Sequence, residues 1–169
     1  MNRPLVHVAD PKLDLLLERV VDVPMELVWA CWTIPEHLKK WFTPAPWQTI
    51  DCEIDLRPGG IFRTVMRGPE GQTMDNSGCF LEIVPPEKLV WTGALGPGYR
   101  PRSAAVMRQV PFLMTAVISL SAEGAGTRYR ALVVHGDEAG REAHERMGFH
   151  AGWGKALEQL VDAAKRLPR

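Results

Sequence analysis

The residues of this chain best placed to move a proton are His135 and Tyr129. Histidine is the side chain whose ordinary pKa lies nearest neutrality, so His135 is a candidate general acid or base. Tyr129 offers a hydroxyl that both donates and accepts hydrogen bonds. Both sit in one alternating run, Thr127 to His135, with His135 at its end just ahead of a helical stretch. Asn76 adds a polar group of the kind that orients a small molecule in an apolar site. No nucleophile stands at a recognisable spacing from any of these, and nothing reads as a phosphate-cradling loop, a nucleophile elbow or a zinc motif. His37, His144 and His150 are expected on helix surfaces, and the separation of the last two suits neither one helix face nor a metal. Cys31, Cys52 and Cys79 lack a CxxC spacing and read as small buried apolar residues in a reducing compartment. No metal or cofactor is implied.

These groups need elements to position them. Leu13 to Val23 alternates Leu13, Leu15, Leu17, Val21 and Val23 against Asp14, Glu18 and Asp22, the period of a half-buried strand. Arg19 interrupts the apolar face and is expected to snorkel to its edge. Pro24 suits the first turn of a helix bearing Val28, Cys31 and Trp32. Thr33 and Glu36 read as a capping box for a second short helix, followed by Leu38, Trp41 and Phe42. Period two returns from Trp47, with Ile50, Cys52, Ile54 and Leu56 expected on one face. Further strands are predicted around Phe62–Arg67, Met74–Val84, Leu89–Thr92, Phe112–Ser121 and Thr127–His135, joined by Gly- and Pro-rich turns. Asp137 can cap a final helix, broken near Gly148 and ending about Leu167, whose apolar stripe holds Trp153, Leu157, Leu160, Val161 and Ala164.

Consecutive strands with tight turns imply an antiparallel meander, and the last helix is the one element long enough to cover it. The chain is therefore expected as one α+β domain over residues 1–169, with 1–12 an extended tail and 93–111 a long mobile loop. Its 169 residues suit one core, and a hydrophobic content of 46% argues against general disorder. Twenty basic and twenty acidic side chains cancel, giving no electrostatic reason to expect nucleic acid or an anionic membrane. No apolar stretch is long enough to enter a bilayer and no signal segment is visible, so the expected location is cytoplasmic.

Several short pieces, in order, carry a resemblance. They are Val23-Pro24 with Val28-Trp29, then Pro35, Leu38 and Trp41-Phe42, and Asp55-Leu56-Arg57-Pro58-Gly59-Gly60. Asn76-Ser77-Gly78, Ile83 to Leu89 around the double proline, Gly126-Thr127 and Gly152-Trp153 with Leu157 and Leu160 complete them. From Leu13 to Leu167 the chain resembles the START-like SRPBCC superfamily, and within it the group named after the activator of the heat-shock-90 ATPase. The resemblance implies a helix-grip fold, a curved sheet round a long C-terminal helix with a cavity between them. Relatives hold lipids, aromatic polyketides, hormones or drugs there, and a few cyclise or dehydrate the bound molecule. Chaperone activation belongs to proteins with an additional domain, so that role is not expected here.

On this reading Phe62, Thr64, Met66, Met74, Asn76, Phe80, Trp91, Met114, Ile118, Tyr129, Ala131 and Val133 face the helix. Trp153 and Leu157 answer them from the helix, and Trp41, Phe42 and Trp47 stand near one mouth. Gly148, Gly152 and Gly154 remove bulk from the helix where a ligand would sit. The leading expectation is a module binding a small hydrophobic molecule. The alternative is a cyclase- or dehydratase-like enzyme using His135 and Tyr129. A third is a protein-interaction module acting through Tyr99, Arg100, Arg102 and Arg108 in the 93–111 connection. A homodimer is compatible with such domains, although no exposed apolar stripe marks one.

Overall fold

The computed structural model describes residues 7–168. Its elements run β1 (Asp14–Val21), α1 (Met25–Thr33), α2 (Pro35–Leu38), β2 (Gln48–Ile54), β3 (Ile61–Arg67), β4 (Thr73–Val84) and β5 (Lys88–Thr92). A two-stranded ladder of β6 (Leu95–Gly96) and β7 (Arg100–Pro101) and a one-turn α3 (Ala104–Met107) follow, then β8 (Met114–Glu123), β9 (Gly126–His135), α4 (Glu138–Arg146) and α5 (Phe149–Lys165). The order matches the strand, paired short helices, meander and final helix expected from the periodicities.

One seven-stranded antiparallel sheet has the order β1-β9-β8-β5-β4-β3-β2. The meander accounts for every neighbour except β1, which the chain returns to lay beside the last strand. Leu15, Leu17, Phe62, Phe80, Ile118, Ala131 and Val133 face inward and join α1 and α5 in the principal core. On the outer face Val90, Val117 and Leu132 form a second small cluster, packed by Leu16, Leu81 and Val134 and covered by Ala9. Arg130 donates to the carbonyl of His7 nearby, so the segment just before β1 lies against the back of the sheet. Of the expected extended tail, residues 1–6 lie outside the described residues.

Local chemistry departs from the expectations in several places. The Thr33–Glu36 capping box does not form: Ile34 occupies the cap of α2 and the Thr33 hydroxyl donates back to the Trp29 carbonyl at 2.8 Å. Pro24 caps α1 and does not enter its first turn. In β2 a register shift between Thr49 and Asp51 turns Thr49 inward and leaves Ile50 exposed. Cys52 and Ile54 still pack on the core, while Leu56, past the strand end, is exposed. A β-bulge of this kind adds one residue to one strand and reverses the facing of what precedes it. Asp137 does cap α4, accepting from the Gly140 amide at 2.7 Å.

Gly148 separates α4 from α5 with φ of 94°, a left-handed conformation that a residue with a β-carbon adopts only under strain. The break lets α4 fold across the end of β9 while α5 runs along the concave face. The Arg19 guanidinium lies against Gly154, where a β-carbon would come within 2.7 Å of Nη2. Arg19 thus crosses α5 at its smallest residue and remains exposed, the snorkelling expected of it. Among the described residues no helix is long and apolar enough to cross a membrane.

Candidate functional site

The concave face is only partly filled. Between β3–β5, β8, the first half of α5 and the 93–111 connection lies a cavity of about 630 Å³. Alternation on β3 points Phe62, Thr64 and Met66 into it, and β4 adds Met74 and Asn76 at its rim. Trp91, Met114 and Tyr129 continue the sheet wall. Trp32, Trp41, Phe42 and Pro44 close one flank, and Trp153, Ala156 and Leu157 of α5 face the sheet.

Aromatic packing holds the sheet side in place. Phe62 stands 4.9 Å from Trp91 and 5.1 Å from Phe80 by ring centroids, and Phe42 packs edge-on to Phe62 at 5.7 Å. Trp32 meets Trp41 edge-on at 4.8 Å. The Trp41 indole donates to the Cys31 carbonyl at 2.9 Å, and the Trp32 indole donates to the Tyr129 hydroxyl at 3.2 Å. Gln159 on α5 then ties this flank to the helix. Its amide donates to the carbonyls of Trp41 and Thr43 and accepts from the Ala45 amide. Nothing in the sequence pattern marks Gln159 for that role, because its partners are backbone groups far away in the chain.

Several residues expected at the cavity lie elsewhere. Phe80, Ile118 and Val133 face inward but are sealed in the core at 0, 1 and 0% exposure. Ala131 is sealed with them. Trp47 is only partly buried and does not line the space; its amide closes a turn onto the Pro44 carbonyl, and Pro44 takes the wall position. His135 is also displaced from the site. It is buried, its Nδ1 lies 3.0 Å from the Leu13 carbonyl oxygen and its Nε2 3.0 Å from Nδ1 of His144. His144, expected on a helix surface, is instead the buried histidine at the cavity wall. It stacks on Phe112 at 4.3 Å and meets Phe149 edge-on at 5.2 Å. No helical spacing marks it, because the break at Gly148 separates α4, which carries His144, from α5. His37 and His150 lie outside the cavity wall, with His150 exposed.

The 93–111 connection, expected as a long loop, carries the β6–β7 ladder and α3 and roofs the cavity with Gly93, Arg102, Val106, Gln109 and Val110. Arg102 is fixed there by donating from Nε to the Gly93 carbonyl at 2.8 Å. Of the other residues expected to act from this segment, Tyr99 borders a shallower cleft of about 420 Å³ beside Asp55, Arg57 and Gly59. Of the residues lining that cleft, Gly60 alone is buried.

The electrostatics of the cavity favour neutral groups. Burial pushes the Tyr129 hydroxyl far above its ordinary range, against a smaller opposite effect of the Trp32 indole. Burial pulls His144 down to about 4, helped by the neighbouring His135, and burial lowers His135 as well. A base that weak and an acid that weak are both far from the neutral pKa that efficient proton transfer needs. Burial also raises Cys31 and Cys52 to about 11, which makes them thiols and not thiolates at neutral pH. Among the described residues no group of His, Cys, Asp and Glu side chains is arranged to hold a metal ion.

A family model described as Activator of Hsp90 ATPase homolog 1-like protein matches residues 22–165. The crystal structure of a protein from Nitrosomonas europaea is 49% identical, covers 94% of this chain and 97% of its own, and superposes with a TM-score of 0.87. A solution structure from Arthrobacter aurescens, 21% identical over 98% of this chain and 95% of its own, gives 0.78. An AHSA1-like protein from Aeromonas hydrophila, 18% identical over 90% and 92%, gives 0.67. The last two likenesses show the shared fold alone. Among curated proteins none matches the chain.

Proposed function

The chain belongs to the family of Activator of Hsp90 ATPase homolog 1-like proteins, and from that premise we propose that it binds a small apolar or aromatic molecule between the sheet and α5, for sequestration or carriage. The observation that carries this reading is the cavity of about 630 Å³ inside an otherwise close-packed face. Small-molecule sites span roughly 300–1,000 Å³ and combine apolar walls with a few fixed polar groups. The walls here are Trp, Phe, Met and Leu, and methionine and aromatic side chains adapt to ligands of irregular shape. Burial of apolar ligand surface supplies about 25 cal/mol per Å², offset by the ordering of the ligand and of the roof. The fold is of the kind that holds hydrophobic molecules.

A cyclase- or dehydratase-like reaction is disfavoured, because the acid–base groups at the wall, Tyr129 and His144, are tuned away from neutrality. The 93–111 segment is better assigned to the ligand site it roofs than to a separate partner surface.

Methionine methyl groups report on this directly. With 13C-methyl methionine labelling, 2-methoxynaphthalene should shift the signals of Met66, Met74, Met114 and Met147, which line the cavity. Met25 and Met107, which do not, should stay in place. Absence of saturable shifts at the four lining residues, both with this probe and with the hydroxyl-bearing 2-naphthol, would remove the proposed function.

A further inference from the structure

The His135–His144 pair has a proton arrangement set by its surroundings. A backbone carbonyl only accepts hydrogen bonds, so the contact between His135 Nδ1 and the Leu13 oxygen requires the proton on Nδ1. A neutral imidazole carries one such proton, which leaves His135 Nε2 as an acceptor. The proton in the 3.0 Å contact between the rings therefore belongs to His144 Nδ1. His144 Nε2 is then an unprotonated lone pair, and no group among the described residues donates to it.

This lone pair belongs to a ring at the cavity wall. His144 is 7% exposed and shares the wall with Phe112, Phe149 and Trp153, against which its ring packs. The stack on Phe112, with an interplanar angle of 20°, fixes the plane in which the lone pair lies. We propose that His144 Nε2 is a hydrogen-bond acceptor of the cavity and selects apolar ligands that present a hydroxyl or N–H donor at the α4 end. The inference rests on the cavity being a ligand site and specifies what that site recognises. An ether or ketone oxygen at the same point sets two acceptors against each other and forfeits the bond, while the lone pair loses its access to water. Because burial in apolar surroundings holds the ring neutral, it does not become a donor at neutral pH.

Two probes of nearly one shape separate the possibilities: 2-naphthol, which donates, and 2-methoxynaphthalene, which only accepts. Their dissociation constants are read from the cavity methionine methyls in the native protein and in His144→Phe, which preserves an aromatic ring against Phe112. The ratio of the methoxynaphthalene constant to the naphthol constant should fall roughly three- to tenfold in the variant, the worth of one hydrogen bond. Using the ratio cancels the intrinsic difference in hydrophobicity between the probes. An unchanged ratio with both probes bound overturns the acceptor role and leaves the cavity reading standing. If neither probe moves the methyls of the native protein, the cavity reading fails and this inference fails with it. Long-range 1H–15N spectra of the native protein give a second test that needs no folded variant. They should show His144 protonated on Nδ1 and bare on Nε2, and the reverse tautomer overturns the proposal.

Discussion

Two parts of one concave face carry the same alternating pattern and reach opposite outcomes. In the sealed part, Phe80, Ile118, Val133 and Leu160 are at most 1% exposed and belong to one continuous core. In the open part, Phe62, Met66, Trp91 and Met114 project from neighbouring strands in the same way, yet they border a cavity. The difference lies on the facing helix. The second half of α5 presents Leu160, Ala163 and Ala164 to the core, whereas its first half brings Gly152 to the wall just after the backbone break at Gly148. The cavity opens beside Gly152 even though Phe149, Trp153 and Leu157 of the same half-helix also reach the wall.

The largest effect that tests this contrast is on stability. Phe80→Ala should cost about 3–5 kcal/mol in denaturant unfolding, as for a large side chain removed from a sealed core. Met66→Ala should cost about 1 kcal/mol or less, because a side chain facing open space has already forgone part of its packing contacts. Equal costs would mean that the two parts are packed alike.

Protonation sharpens the contrast next, since the titratable pair lies at the open end. His144 and His135 both have lowered pKa values in the folded protein, so the unfolded chain takes up protons at a higher pH than the folded one. Stability is then full above about pH 6.5 and declines as the pH falls towards 4, by about 3 kcal/mol for His144. Denaturant midpoints measured between pH 7 and pH 4.5 should show that slope, and His144→Phe should reduce it. The smaller slope due to His135 should remain, and a slope undiminished by the substitution would place the main titrating group elsewhere.

The smallest effect has the opposite sign. A β-carbon on Gly152 would meet only the Pro44 ring, at 3.9 Å. Gly152→Ala should therefore stabilise the protein by about 0.5–1 kcal/mol through helix propensity, while narrowing the cavity. A loss of stability would show that the first half of α5 is packed as tightly as the second.

Much of this architecture is legible from local rules. Alternation located the strands, the Asp137 cap and Gly148 marked the final helices, and Gly148 and Gly152 pointed to the hollow, whereas Gly154 lies away from it against Arg19. The misplacements share a cause. Thr33 and Glu36 have capping-box spacing, but Thr33 found a nearer acceptor in Trp29. Ile50 alternates correctly, but a bulge removed it from the face. Phe80, Ile118 and Val133 point the right way, and only the depth at which α5 packs decides that they are sealed. His144 was hidden because its environment comes from Phe112, His135 and Phe149, which lie on other elements. Facing is a local property, whereas depth and partnership are tertiary ones.

The contact of Arg19 with Gly154 has a consequence for how such chains vary. The guanidinium occupies the space that a side chain at 154 would need, so the two positions share one volume between sheet and helix. Across descendants of a common ancestor they should change together: a long residue from the strand goes with a bare helix position, and a larger helix residue goes with a shorter strand partner. A pair of columns far apart in sequence would then record a single steric constraint.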